Sequence, residues 1–384
     1  MFSSPRLVSA RKRRGLTITA LSGKSQISTK SISDYENNKK VPSRDTLRHL
    51  AEALEVSVAY LSKPPLEEVP AEAVSFRAPT KMTARNREMA LSVASHAVEL
   101  RRWIDERYSV PPIDVPSLHK YVGLAAASEA AYVVRAKWGL GVAPLGNMVH
   151  LLELHGVAVF SVKTEARALD AFSFYASGQP FVLLSTAKSA ERGRFDAAHE
   201  LGHLVLHCGP VRPSGVEAER EADAFASSFL MPEADIHAQF SMNPRLGDLT
   251  RKKTRWGVSA IALAYRLHDL GLMTDWHYHT TCVNLSRMGY RSGEPQGMRR
   301  ESSRLLGKVL ADLRRTPGGF EQLCNDLAVV PDDVNELIFG LTPTVVSGGQ
   351  FEHAEREGGS RLTRADLKVL QGGARSRGSG GSRG

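Results

Sequence analysis

Apolar residues recur at helical intervals along most of the chain, and only its central part departs from that pattern. Three short runs rich in apolar and aromatic residues predict the strands of a small sheet, at 157–162, 171–175 and 181–184. Helical spacing returns over 190–207 and again over 217–231, where Pro232 ends it. We therefore expect a mainly α fold with a small β-sheet, in the α+β class.

Changes of composition divide the chain into segments. Pro64 and Pro65 end a first group of about five short helices, which places a first domain at 1–65. The further segments that we predict are a linker with a connecting helix at 66–116, a central domain at 117–275, a small helical C-terminal region at 276–346 and a tail at 347–384. The tail is rich in Gly, Ser and Arg with almost no aromatic residue, so we expect it to be disordered.

The distribution of charge points to nucleic acid as a partner of the first domain. The 384-residue chain has a formal net charge of +9, and residues 1–65 hold 12 Lys or Arg against 5 Asp or Glu. No apolar run is long enough for a membrane span, no apolar segment follows the basic start, and the three cysteines lack CxxC spacing. We expect a cytoplasmic protein without a membrane partner.

Two short helices joined by a tight turn are predicted within the first domain. The first covers 17–23, and the second covers 29–37 with Ser28 as its N-cap. This arrangement is typical of a helix-turn-helix, whose second helix enters the major groove of DNA. The alternative is a basic helical domain that binds protein.

Five polar residues of the second helix and the turn after it are the expected DNA contacts. Thr29, Lys30 and Ser33 come first on the exposed face of that helix and are expected to meet base edges. Lys39 and Lys40 follow the helix and are expected to meet phosphate oxygens, which adds affinity without sequence information. The predicted partner is a double-stranded DNA operator.

The first domain also resembles the Cro/repressor-type (XRE) helix-turn-helix family. The resemblance is carried by Gly15-Leu16-Thr17, Ile32-Ser33-Asp34-Tyr35-Glu36, Val41-Pro42-Ser43, Leu47, Leu50-Ala51 and Leu54. It covers nearly all of this domain and implies a DNA-binding fold.

The helical pattern at 190–207 contains an HExxH motif. Its two imidazoles, His199 and His203, are four residues apart and so lie on one helix face, separated by about 6 Å along the axis. Both can reach one metal ion. Glu200 stands beside them as the expected general base, which takes a proton from water during attack on an amide and passes it to the leaving nitrogen.

A catalytic zinc site needs a third protein ligand and an open position. Glu219 and Asp223 share one face of the next helix, so we predict Glu219 as ligand and Asp223 as the acceptor that orients a ligating histidine. Glu221 points elsewhere on that helix and is the alternative ligand. His207 is too far from His199 to share the metal, so we expect a helix-end histidine near the last carbonyls.

This central segment resembles the ImmA/IrrE family of metallopeptidases, from about residue 118 to 272. The residues that carry the resemblance are Arg194-Phe195, Ala198-His199-Glu200-Leu201-Gly202-His203, 219–226 and Phe229-Leu230-Met231-Pro232. It implies a zincin-like domain with a thermolysin-like HExxH plus ExxxD site, Zn²⁺ as cofactor, and limited proteolysis of a repressor of prophage, mobile-element or stress genes.

Together the two halves predict a DNA-binding zinc-dependent endopeptidase that cleaves a transcriptional repressor or a similar regulator. Its partners would be an operator and a protein substrate, and a homodimer is a further hypothesis. Two other functions stay open: a regulator whose peptidase-like domain senses a ligand or partner without proteolysis, and a toxin neutraliser or phage-immunity factor that acts by binding alone.

Overall fold

The computed structural model describes residues 2–76, 83–162, 171–209, 215–290 and 293–342. Helices dominate and one small sheet lies near the centre, so the predicted α+β class is confirmed. The tail predicted at 347–384 lies outside the described residues. Within the described ranges, no helix is long and apolar enough to cross a membrane.

Four helices form the start of the chain. They are α1 (Ser4–Arg13), α2 (Ile18–Ser25), α3 (Thr29–Glu36) and α4 (Arg44–Leu54). The predicted N-cap at Ser28 is confirmed, because its hydroxyl oxygen accepts a hydrogen bond from the Ser31 N–H. A 3-10 turn, Tyr60–Ser62, closes the group, so the fifth helix expected from the sequence is a single turn.

Helix α5 (Ala84–Asp105) packs along α1 through polar as well as apolar contacts. Arg6 of α1 donates to Glu99 of α5 at 2.6 Å, and the Tyr60 hydroxyl bonds His96 Nε2 at 2.9 Å. Helix α1 and the 3-10 turn therefore rest directly on α5.

The last helices lie against the same group. They are α14 (Arg304–Arg315), α15 (Gly319–Leu327) and α16 (Pro331–Ile338). The Asp333 carboxylate of α16 pairs with Arg13 at 3.2 Å and with Arg14 at 2.9 Å, and α16 also packs on the sheet. The C-terminal helices thus bridge the first domain and the central one.

The sheet has four strands in the order β1-β3-β4-β2. They are β1 (Ser75–Phe76), β2 (Ala158–Val162), β3 (Ala171–Ala176) and β4 (Gln179–Ser185). A hairpin joins β3 to β4 through Ser177 and Gly178, both with positive φ, and β2 runs parallel to β4. Strand β1 was not predicted, since two residues give no alternation to detect.

Helices cover the sheet and complete the central core. They are α6 (Leu124–Lys137), α7 (Met148–Leu154), α8 (Ala190–Leu206), α9 (Val216–Leu230), α10 (Glu233–Gln239), α11 (Leu246–Lys252), α12 (Ala260–Asp269) and α13 (Asp275–Arg287). Helix α8 packs on β3 and β4 on one side and on α9 on the other. Gly202 of α8 allows this close approach, because a Cβ there would lie 3.2 Å from the Phe225 ring.

Candidate metal centre

Helix α8 presents both histidines of the HExxH motif toward α9. Its first turn is capped by Ser189, whose hydroxyl oxygen accepts from the Arg192 N–H, and nearly all of its second half is buried. The Nε2 atoms of His199 and His203 are 3.1 Å apart. The spacing of four residues has therefore brought the two imidazoles together.

Glu219, in the first turns of α9, faces both rings. Its Oε2 lies 3.5 Å from His199 Nε2, and its Oε1 lies 3.4 Å from His203 Nε2. In a tetrahedral zinc site with metal–ligand distances of about 2.0–2.1 Å, donor atoms are about 3.3 Å apart. The three side chains thus fit one zinc ion, and no other such group was found among the described residues.

Asp223 lies one turn beyond Glu219 on α9 and contacts the outer nitrogen of His199. His199 Nδ1 is 2.8 Å from Asp223 Oδ1. A carboxylate can only accept there, so the Nδ1 proton of His199 points to Asp223 and Nε2 is left to face Glu219.

Glu200 is buried beside the two histidines and is held from the sheet. The Ser173 hydroxyl of β3 donates to Glu200 Oε2 at 2.6 Å. Burial raises the pKa of Glu200 to about 8, against the charge of His199 and the Ser173 hydrogen bond, which lower it. Sequence reasoning missed Ser173, because a serine in a strand carries no sign of which helix residue it will meet.

The other charges of the site follow from burial and hydrogen bonding. Burial lowers the pKa of His199, but hydrogen bonds to Asp223 and Glu219 outweigh it and raise that pKa to about 9. Burial lowers the pKa of His203 to about 4, and the two histidines hold the pKa of Glu219 well below its usual range despite its burial. Zinc binding requires neutral imidazoles and so displaces a proton from His199.

His207 is the C-cap of α8, so the expected helix-end position is confirmed, but its ring contacts side chains and not the last carbonyls. His207 Nδ1 lies 2.8 Å from His203 Nδ1, and His207 Nε2 lies 2.9 Å from Glu221 Oε2. The other oxygen of Glu221 accepts the Gly123 N–H at 2.5 Å. The residue considered as the alternative ligand therefore points its carboxylate to His207 and Gly123.

The predicted DNA contacts lie on and just after α3. The side chains of Thr29, Lys30, Lys39 and Lys40 are exposed, whereas Ser33 is half-buried. The backbone carbonyl of Ser33 accepts a hydrogen bond from the side-chain amide of Asn37. Lys40 also pairs with Asp34 at 2.9 Å.

The end of α3 is held by an ion pair that the sequence did not reveal. Arg11 of α1 donates to both carboxylate oxygens of Glu36, at 2.6 and 2.8 Å. This two-point contact fixes α3 against α1.

Two family models match the chain, and both resemblances are thereby confirmed. The helix-turn-helix model matches residues 7–61, and the IrrE N-terminal-like domain model of the M78 peptidases matches residues 152–268. None of the curated proteins compared with the chain is significantly similar to it. The second match includes α8 and α9 with all residues of the metal centre. The chain therefore joins an N-terminal helix-turn-helix domain to an IrrE N-terminal-like, metallopeptidase-like domain.

Proposed function

We propose that this chain is a DNA-binding zinc-dependent endopeptidase that cleaves a transcriptional repressor or a similar regulator, and so switches on prophage, mobile-element or stress genes. The observation that carries the proposal is the convergence of His199, His203 and Glu219 with Glu200 beside them. A regulator that only binds has no need of a buried carboxylate next to a set of three metal donors.

Zinc is the metal that this donor set favours. Two imidazoles and one carboxylate are the protein ligands of many catalytic zinc sites, in which a fourth position stays open. When bound, zinc would supply a Lewis acid that polarises an amide carbonyl.

Glu200 is the proton carrier in this proposal. Its carboxylate accepts a proton from the attacking water and delivers it to the amide nitrogen that leaves. Ser173 holds Oε2 in place while the other oxygen takes the proton. Asp223 keeps His199 turned with Nε2 toward Glu219, with which it would hold the metal.

The helix-turn-helix domain supplies the location of the cleavage. Residues 1–65 hold most of the chain's net positive charge, with 12 Lys or Arg against 5 Asp or Glu in a chain of net charge +9. The exposed side chains of Thr29 and Lys30 lie at the start of α3. Contacts from Lys39 and Lys40 to phosphates would hold the chain on its operator. A substrate bound at the same operator is then presented to the peptidase at high local concentration.

The test changes Glu200 to Gln, which keeps size and leaves the metal donors in place. We expect full zinc content and a loss of cleavage by a factor of about 10² to 10⁴ or more, because the general base is gone. Proteins that copurify with the Glu200→Gln form are the substrate candidates, and each is then incubated with wild-type protein. Glu217→Gln, an exposed change on α9, is the control for loss of one negative charge.

The readout in cells is expression of the genes beside the operator. Wild-type protein should derepress them, and the Glu200→Gln form should not. Equal derepression by both forms would exclude proteolysis as the mechanism and leave a regulator that senses a ligand or partner through its peptidase-like domain.

A further inference from the structure

A chain of hydrogen bonds leads outward from His203 to the start of α6. His203 Nδ1 contacts His207 Nδ1 at 2.8 Å, and His207 Nε2 contacts Glu221 Oε2 at 2.9 Å. Glu221 Oε1 accepts the Gly123 N–H at 2.5 Å, which completes the chain. Neither His207 nor Glu221 belongs to the three metal donors.

The three side chains that form this series of hydrogen bonds are buried. His203 and His207 are each 5% exposed, and Glu221 is 7% exposed. Buried polar atoms must find their hydrogen-bond partners inside the protein, because an unpaired one costs about 1–3 kcal/mol. The contacts between these groups therefore determine where each ring carries its proton.

Only one arrangement of protons satisfies every contact when His203 binds a metal. His203 Nε2 faces Glu219 and must then be unprotonated, so the His203 proton sits on Nδ1 and is donated to His207 Nδ1. That nitrogen of His207 is an acceptor, so the His207 proton sits on Nε2 and is donated to the Glu221 carboxylate.

We propose that His207 and Glu221 are positioning residues of the metal site, which fix the tautomer and the ring orientation of His203. Asp223 does the same for His199 by direct contact, whereas Glu221 acts on His203 through His207. The inference rests on the proposed function in one respect, that His203 is a metal ligand. Loss of a partner of this kind typically weakens metal affinity or activity by about 10- to 100-fold.

The Gly123 N–H anchors the far end of the chain of hydrogen bonds. Gly123 has φ of +91°, a conformation open to glycine and strained for other residues, and it immediately precedes α6. Its amide holds the Glu221 carboxylate in the orientation that His207 requires. The ring orientation of His203 is thus coupled to the packing of α6 on α9.

The first measurement is zinc affinity of the full-length protein, by competition with a chromophoric chelator. His207→Leu removes the acceptor of the His203 proton while keeping an apolar volume, and we expect zinc binding about 10- to 100-fold weaker at unchanged stoichiometry. His207→Gln restores an acceptor and should recover part of the affinity. Glu221→Gln keeps a neutral hydrogen bond and should fall between wild type and His207→Leu.

Two exposed positions supply matched controls. Glu217→Gln removes one negative charge from the same helix, and His279→Gln removes an exposed imidazole. Both should bind zinc as wild type does. Circular dichroism of every variant tests whether the fold persists, and the Gln variants carry the comparison if His207→Leu does not fold.

The second measurement is the tautomer of His203, from ¹⁵N chemical shifts of histidine-labelled protein with and without zinc. We expect a proton on Nδ1 in wild type and a mixture of tautomers in metal-free His207→Leu. Wild-type affinity with an unchanged tautomer in the folded His207 variants would overturn the proposal, as would a second zinc held by His207. If wild type binds zinc without cleaving any protein, the proposed function fails while these measurements still decide the role of His207.

Discussion

Replacing Asp333 by alanine should loosen the helix-turn-helix domain from the rest of the chain. The Asp333 side chain is 2% exposed and pairs with Arg13 and Arg14 of α1. The Arg13 side chain is 4% exposed, and within the described structure its Nε and Nη1 have no hydrogen-bond partner. Without Asp333, that guanidinium keeps only Glu336 as a charged partner, at 3.5 Å.

The size of the effect follows from this burial. Removing one partner of a buried ion pair costs about 3–5 kcal/mol, because the other charge stays buried and unpaired. Glu336, whose side chain is 38% exposed, still pairs with Arg13 and offsets a part of this cost. We therefore expect the free energy of unfolding to fall by about 3 kcal/mol. Folded domains are stable by about 5–15 kcal/mol, so urea unfolding followed by circular dichroism and tryptophan fluorescence will resolve the change.

Two further variants decide whether the buried charge is the cause. Asp332→Ala changes the exposed neighbour of Asp333 and should cost little. The double variant Arg13→Met with Asp333→Leu leaves no buried charge and should recover most of the loss. If Asp333→Ala costs no more than Asp332→Ala, the ion pair does not hold the domain in place.

Three other changes test separate parts of the molecule. Gly202→Ala crowds the Phe225 ring at the crossing of α8 and α9, and we expect a packing cost of about 1–3 kcal/mol, offset by about 1 kcal/mol of helix propensity, together with weaker zinc binding in a chelator competition. Unchanged zinc affinity would show that the crossing tolerates a methyl group. For DNA, Lys39→Ala should weaken binding to all duplexes alike in fluorescence anisotropy at varied salt, and Lys30→Ala should reduce discrimination between sites by about 1–3 kcal/mol. Absence of any preference among duplexes at moderate salt would contradict operator binding. Burial holds the pKa of His96 well below 6.5, so the unfolded chain takes up a proton first as the pH falls, and stability should drop below about pH 6.5 by up to about 1.4 kcal/mol per pH unit. His96→Gln should flatten that part of the profile, and an unchanged slope would assign it to other groups.

The grouping of the metal donors was readable from the sequence because helical spacing sets it. Residues four apart share a face, so His199 with His203, and Glu219 with Asp223, needed only that two helices meet. The apolar pattern also located α8 and α9 to within one residue at each end. Short-range rules were enough for this part of the site.

Contacts between distant segments were not readable in the same way. Ser173 meets Glu200 across 27 positions, and Arg13 meets Asp333 across 320. Neither contact produces a periodic pattern in the sequence, because each depends on how separate helices and strands pack. The helix-end position of His207 was predicted, but the partners of its ring were not. One of them, the Glu221 carboxylate, belongs to another helix, and its contact with His207 depends on how α8 and α9 pack.

The packing of α1 against α5 and α16 has a consequence for the geometry of any operator complex. A peptidase domain joined to the DNA-binding domain by a flexible linker would reach proteins on every side of the duplex. One that is fixed by buried contacts would face only one side of it. B-DNA turns once in about 10–10.5 base pairs, so moving a neighbouring regulator's site by about five base pairs would carry it to the opposite side of the helix. Cleavage would then depend on the spacing between the two DNA sites, rising and falling with the helical repeat. This dependence would add to the substrate specificity independently of the residues at the scissile bond.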